Sequence, residues 1–158
     1  MKKIRFLLFL MTALSVTAQS VPVTQYESPN YSIAYPKDWK ATDDSGIINI
    51  FPPNQIGAVT ISEYHDLNLP KTETKKFILA LYHSGEDEKM VTSQNGRKGY
   101  TEYFYEYRDE KEKLVWLTKV YQKDKDLYLI SVNCAQKYWN GNYMKLFKEA
   151  FESFQVKK

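Results

Sequence analysis

Chemistry in this 158-residue chain would have to come from few groups: two histidines, one cysteine and several runs of carboxylates. For His65 and His83 to hold one metal ion, they would have to converge from a strand end and a helix end. Glu63, Asp66 or Glu86 would then complete the shell, and no H-x-x-x-H or C-x-x-C spacing supports this. His83 has a sufficient role at a helix C-terminus, where a polar or cationic ring suits exposed carbonyls. Cys134 ends an apolar run, where a free thiol behaves as a small hydrophobe. A nucleophilic thiol needs an electropositive, partly exposed setting instead. The sequence has no G-x-S-x-G, Gly-rich phosphate loop or dinucleotide fingerprint. Glu86-Asp87-Glu88 and the run Arg108 to Lys113 read as solvated turns, and the first lacks the alternating oxygen donors and glycine of a calcium loop. The expectation is a non-enzyme with no catalytic residue, no metal and no cofactor.

Tyrosine is the distinctive residue: there are 13, with Tyr100, Tyr103, Tyr105 and Tyr107 crowded into one segment. Tyr103, Tyr105 and Tyr107 fall on one face of a strand. Rings with an apolar body and a polar tip can stack on sugars or bases, or form a partner interface. The bland alternative is core beneath a helix, the commoner fate of aromatic residues at strand spacing. The same choice applies to Tyr138, Trp139 and Tyr143, beside the break Asn140-Gly141-Asn142. Tyr103, Tyr105, Tyr107, Tyr138 and Trp139 are the candidate binding residues.

The elements that must position these groups follow from periodicity. Tyr31-Ser32-Ile33-Ala34-Tyr35 is a short strand stopped by Pro36, with Trp39 as a lid on the core. Ile47 to Phe51 and Ala58 to Tyr64 make a hairpin, with Val59 and Ile61 on its greasier face. Pro70 starts a helix in which Phe77, Ile78, Leu81 and Tyr82 recur before Gly85 ends it. Met90 to Ser93 and Lys98 to Tyr107 flank Asn95-Gly96, a type I′ hairpin signal, and strands follow at Leu114 to Gln122 and Leu127 to Cys134. Tyr143, Phe147, Ala150, Phe151 and Phe154 make one stripe of a closing helix about 15 residues long. The expected fold is α+β: a three-layer α/β/α sandwich with a central antiparallel sheet of about six strands and two main helices.

Lys2, Lys3 and Arg5 precede the apolar run from Phe6, and Val16-Thr17-Ala18 closes a small-x-small pattern, so residues 1–18 read as a secretory signal cleaved after Ala18. The apolar stretch is too short to span a bilayer, which needs about 20 residues. No cysteine follows it, so no lipid at a mature N-terminal cysteine is expected. Residues 19–30 read as a flexible leader and residues 31–155 as a single domain, secreted or periplasmic. Loss of Lys2, Lys3 and Arg5 from 22 basic residues leaves 19 against 19 acidic ones. The whole-chain pI of about 8.7 is therefore largely a property of the leader. A neutral mature chain gives no reason to expect nucleic acid as a partner. A sole thiol excludes an intramolecular disulfide.

Tyr31-Ser32-Ile33-Ala34-Tyr35-Pro36-Lys37-Asp38-Trp39 and the closing Phe147 to Phe154 resemble the PsbP-like fold family, in its exported bacterial PsbP/DcrB-like branch. Between them, the strand, strand, helix, four-strand, helix order over residues 31–155 is similar to the family's. The resemblance implies an α/β/α sandwich with a binding or accessory role and no shared catalytic machinery. Together these readings give a non-catalytic exported domain acting on an envelope or extracellular protein partner. The alternative is a carrier holding a small molecule or lipid in a pocket between sheet and helix.

Overall fold

Alternating and continuous apolar runs separated by turn residues produce ten strands and two helices in the computed structural model, which describes residues 21–157. The signal and cleavage expectations, and the start of the leader, lie outside the described residues. In chain order the strands are β1 (Val23–Glu27), β2 (Tyr31–Pro36), β3 (Lys40–Asp44), β4 (Ile47–Phe51) and β5 (Gly57–Tyr64). After helix α1 (Thr74–Leu81) come β6 (Thr92–Asn95), β7 (Thr101–Asp109), β8 (Leu114–Lys123) and β9 (Asp126–Ala135). Helix α2 (Asn142–Ser153) and β10 (Gln155–Val156) close the chain.

Seven strands form one antiparallel sheet in the order β3-β4-β5-β9-β8-β7-β6, and a separate small sheet has the order β1-β2-β10. The expected single sheet of about six strands is thus corrected to seven plus three. The α+β, three-layer architecture stands, with α1 on one face of the large sheet and α2 with the small sheet on the other. Part of the expected leader is also corrected: Val23–Glu27 pairs residue for residue with Pro36 to Ser32. Its alternating exposed and half-buried residues mark an edge strand that gives up one face only. β3 and β10 carry too few apolar residues to signal themselves, and form because a neighbouring strand offers them a ladder.

Turn chemistry places the tight hairpin elsewhere than expected. Ser45 and Gly46, between β3 and β4, have φ of 55° and 87°, the two positive values that a type I′ turn requires. Asn95-Gly96 instead opens a longer loop in which Lys98 and Gly99 take positive φ. Gly57 is obligatory for a different reason. A Cβ there would lie 2.2 Å from the Asn133 carbonyl oxygen of the adjacent strand.

Two cores sit on the two faces of the large sheet. Toward α2, Ile48, Ile50, Val59, Ile61, Val115, Leu117, Ile130 and Val132 meet Phe147, Ala150 and Phe151. Trp39 is buried there, its ring centroid 4.6 Å from that of Phe147, as a lid residue should be. Tyr31 and Ile33 of β2 close the same layer, and Ser153 Oγ accepts the Ala34 N–H at 2.9 Å, which ties α2 to the small sheet. Toward α1, Ile78, Leu79 and Val91 cover Tyr103, Tyr105, Val120, Leu127 and Leu129. The closing stripe is buried as expected at Phe147, Ala150, Phe151 and Phe154, and the helices depart from the sequence reading at particular positions. In α1 Leu79 is buried while Leu81 is 41% exposed, and in α2 Met144 is buried while Tyr143 is exposed. Each helix is one turn or so shorter than expected, so the residues at its rim turn outward.

Phe147 has no exposed surface and is the centre of the larger core. Phe147→Ala is expected to cost about 3–5 kcal/mol by urea denaturation. Leu81→Ala should stay within about 0.5 kcal/mol, because its side chain is already at the surface; a large loss there would contradict the observed phase of α1.

Candidate functional site

Only part of the tyrosine stripe is available to a ligand. Tyr103 and Tyr105 are buried beneath α1, which corrects their expected role as binding surface. Their hydroxyls are spent inside the protein. Tyr103 donates to Gln122 Oε1, and Tyr105 lies 2.7 Å from Glu86 Oε2 and 2.9 Å from Ser84 Oγ. Burial pushes the Tyr105 phenol up to about 12, with the Glu86 carboxylate adding to the effect. Tyr107, the outermost ring of the stripe, is half-buried, stacked on Tyr105 at 6.1 Å and open to a cleft. Trp139 is buried with Arg108 and Lys148 above its ring, so it too is corrected from surface to core, while Tyr138 remains partly exposed under Lys137.

The cleft, about 350 Å³, wraps the C-terminal end of α1. Tyr64, Tyr82, Tyr107 and Trp116 are its rings, with Ser62, His83 and Asp109 as polar groups. Tyr82 is locked by a hydrogen bond between its hydroxyl and Thr118 Oγ1, and its centroid is 5.5 Å from Trp116 and 5.7 Å from Tyr107. Tyr64 and Trp116 were not singled out from sequence. They are isolated aromatics on strands, and only the register that lays Trp116 beside Tyr107 brings them to one place.

A second concavity, about 550 Å³, runs between α2 and the outer face of β1 and β2. Val21, Val23, Ala34, Pro36, Leu146 and Ala150 give it an apolar floor, and Asn142, Lys145 and Glu149 stand at its rim. Val23 is 67% exposed. The signal for this groove was weak in sequence because its strand half lies in the expected leader.

The reactive groups are arranged as follows. Cys134 is buried, and burial alone pushes its thiol above the ordinary value. It sits at the far end of β9 from Asp126, eight residues away or about 27 Å. His83 lines the cleft, on the opposite side of the sheet from the cluster that holds His65. His65 does join a polar cluster that sequence spacing could not show. Its Nδ1 is 2.8 Å from Asp126 Oδ1, and its Nε2 is 3.3 Å from Glu63 Oε2. Asn30 Nδ2 donates to the same Glu63 oxygen at 2.8 Å. Among the described residues no three His, Cys, Asp or Glu side chains are placed to hold one metal ion. Glu63 and Asp126 engage opposite ring nitrogens of His65, so they brace the imidazole rather than share a cation with it.

That brace makes His65 a pH-dependent clasp between the β1–β2 turn, β5 and β9. Its pKa is raised above 6.5 chiefly by the Asp126 hydrogen bond, which loss of hydration partly opposes, with the Glu63 hydrogen bond and the charge of both carboxylates adding to the rise. A group with a raised folded pKa stabilises the fold fully below its unfolded value, and that contribution fades as pH rises through the folded value. Stability measured by urea denaturation should therefore include a His65-dependent gain that is complete below about pH 6 and fades as pH rises through the raised folded value. Asp126→Asn should abolish most of this gain and lower the midpoint of the His65 NMR titration. A midpoint unmoved by that substitution would refute the clasp.

Among the described residues no helix is long and apolar enough to cross a membrane. No protein-family model matches the sequence, and no curated protein matches it. Solved structures do match. The cyanobacterial PsbP (CyanoP) of Synechocystis sp. PCC 6803 superposes with a TM-score of 0.62 at 16% identity, over 89% of this chain and 95% of that one. A protein of Bacteroides thetaiotaomicron VPI-5482 gives 0.55 at 15% identity, over 85% of this chain and 48% of that one. LpqN of Mycobacterium tuberculosis, involved in cell envelope biogenesis, gives 0.51 at 11% identity, over 85% of this chain and 91% of that one. At such low identity these likenesses establish architecture: the chain has the PsbP-like fold.

Proposed function

We propose that the chain works outside the cytoplasm, after cleavage near Ala18, as a non-catalytic accessory domain that binds an envelope or extracellular protein partner. The observation that carries this reading is the groove between α2 and the β1–β2 hairpin. Aliphatic side chains stand open there, on an edge strand and along a helix, within a rim of charged and amide groups. An apolar centre with a polar rim is the composition of protein interfaces. Covering Val21, Val23 and Leu146 would recover about 25 cal/mol for each Å² of apolar surface removed from water.

The separation of Cys134 from His65, and the two carboxylates that already engage the His65 ring, support a binding role over a catalytic one. The carrier alternative has less support. The space between sheet and α2, where its ligand would lie, is filled by Tyr128, Ile130, Phe147 and Phe151. The groove lies at the outer side of that core, between α2 and the small sheet. The likeness to an envelope-biogenesis protein agrees with an extracytoplasmic setting.

The test is capture of partners from envelope extract by the wild type and by a Val23→Asp/Leu146→Asp double variant. Val23 is exposed while Leu146 also packs partly against the core, so circular dichroism must first show that the variant is folded. It should recover a wild-type partner at about one-tenth the level or less, a loss of roughly 1.4 kcal/mol in binding. Equal recovery by a folded variant would remove the groove from consideration.

A further inference from the structure

The half of the large sheet that α1 leaves bare has a side-chain composition unlike the rest of the surface. Cross-strand pairing aligns Thr42, Asn49, Thr60, Ser131 and Thr118 in one row across five strands. The next row aligns Ala58, Asn133, Trp116 and Tyr107. At about 4.8 Å between strands the open part of the first row, from Thr42 to Thr60, is about 10 Å long, because Ser131 and Thr118 are buried. Its Thr118 end passes under Tyr82, so the rows run into the aromatic cleft.

The face carries no charge between its ends, Lys40 and Asp44 at one side and Asp109 at the other, in a chain whose residues are 26% charged. A solvated strand face with no further task ordinarily takes Lys and Glu along with Thr; this one has neutral hydrogen-bonding groups, small residues and half-exposed rings, with the aliphatic side chains of Ile47 and Leu114 at its margins. We infer that it is a binding face for a neutral polysaccharide, a site separate from the groove beside α2.

The chemistry of each candidate occupant decides the choice. Nucleic acid or an anionic polymer would need a row of cations, since phosphate neutralisation supplies most of such affinity. A lipid surface would need a continuous apolar patch, and Asn49, Thr60 and Asn133 interrupt it. A neutral sugar chain presents hydroxyls that both donate and accept, together with the C–H faces of its rings. Thr and Asn side chains match the first and Trp and Tyr rings match the second. Thr60 Oγ1 donates to Asn49 Oδ1 at 2.9 Å, which orients the amide and leaves its nitrogen to donate outward. Trp116 and Tyr107 are held against Tyr82 and Tyr105, so little side-chain entropy is lost when a sugar ring stacks on them.

The experiment is titration of the signal-free protein with neutral hexasaccharides of glucose, xylose and N-acetylglucosamine, read by calorimetry and by amide NMR shifts. Polygalacturonate and a proline-rich peptide serve as charged and peptide probes. At least one neutral hexasaccharide should bind, with shifts concentrated at Thr42, Asn49, Thr60, Asn133 and Trp116. Trp116→Ala should weaken it at least about tenfold. Asn49→Ala, a milder change that keeps the fold, should weaken it in the same direction, while Val23→Asp/Leu146→Asp leaves it unchanged. Failure of every neutral hexasaccharide at millimolar concentration, binding of only the charged or peptide probe, or affinity indifferent to Asn49→Ala would each overturn the inference.

Discussion

Coverage is the constraint on which this molecule turns. Seven strands at about 4.8 Å make a sheet about 29 Å wide, and a helix of eight residues is about 12 Å long. One such helix cannot shield that width. On the opposite face α2 has 12 residues, about 18 Å, and still needs help. The small sheet supplies it: β2 brings Tyr31 and Ile33 into the core, and the chain's last residues return to pair with β2. One face is thereby sealed by a helix and three short strands together, while the other is sealed only under α1.

A short helix with a narrow apolar face also needs attachment beyond hydrophobic contact. α1 is pinned by polar links to the sheet that fit this need. Thr74 Oγ1 donates to Gln122 Oε1 at 2.6 Å, and Gln122 Nε2 donates to the Leu69 carbonyl at 2.7 Å. The buried tyrosines belong to the same scheme. Tyr105 reaches the segment after the helix, Tyr103 reaches Gln122, and Tyr82 returns from the helix end to Thr118. Phenols suit this place because each ring fills the core while its hydroxyl satisfies a partner that would otherwise be buried alone.

Legibility in the sequence followed the strength of each element's own pattern. The β4–β5 hairpin, the three long strands β7 to β9, both helices and the buried Trp39 were readable because their residues carry the periodicity themselves. β1, β3 and β10 were not, since a strand such as Lys-Ala-Thr-Asp-Asp has no apolar alternation and exists through its neighbour. The stripe of Tyr103, Tyr105 and Tyr107 was readable as a stripe, but its split into two buried rings and one open ring depends on where α1 ends. His65, Glu63 and Asp126 meet because β5 and β9 are antiparallel neighbours with Glu63 opposite Tyr128. That pairing joins residues about 60 positions apart, and no local signal encodes it.

The same constraint bears on where selection for binding can be seen. A sheet face that no helix can reach must tolerate water, and Thr, Ser and Asn on β3, β4, β5 and β9 meet that requirement. Tolerance of water does not call for Trp116 or Tyr107 at its margin, because a large ring left half in water loses part of the gain from its burial. Nor does solubility favour the lack of charge, since lysine and glutamate would serve it better. Polar groups without charge, beside rings held in place by their neighbours, are therefore features that stability and solubility leave unexplained. Those features are concentrated on the face that the short helix leaves open.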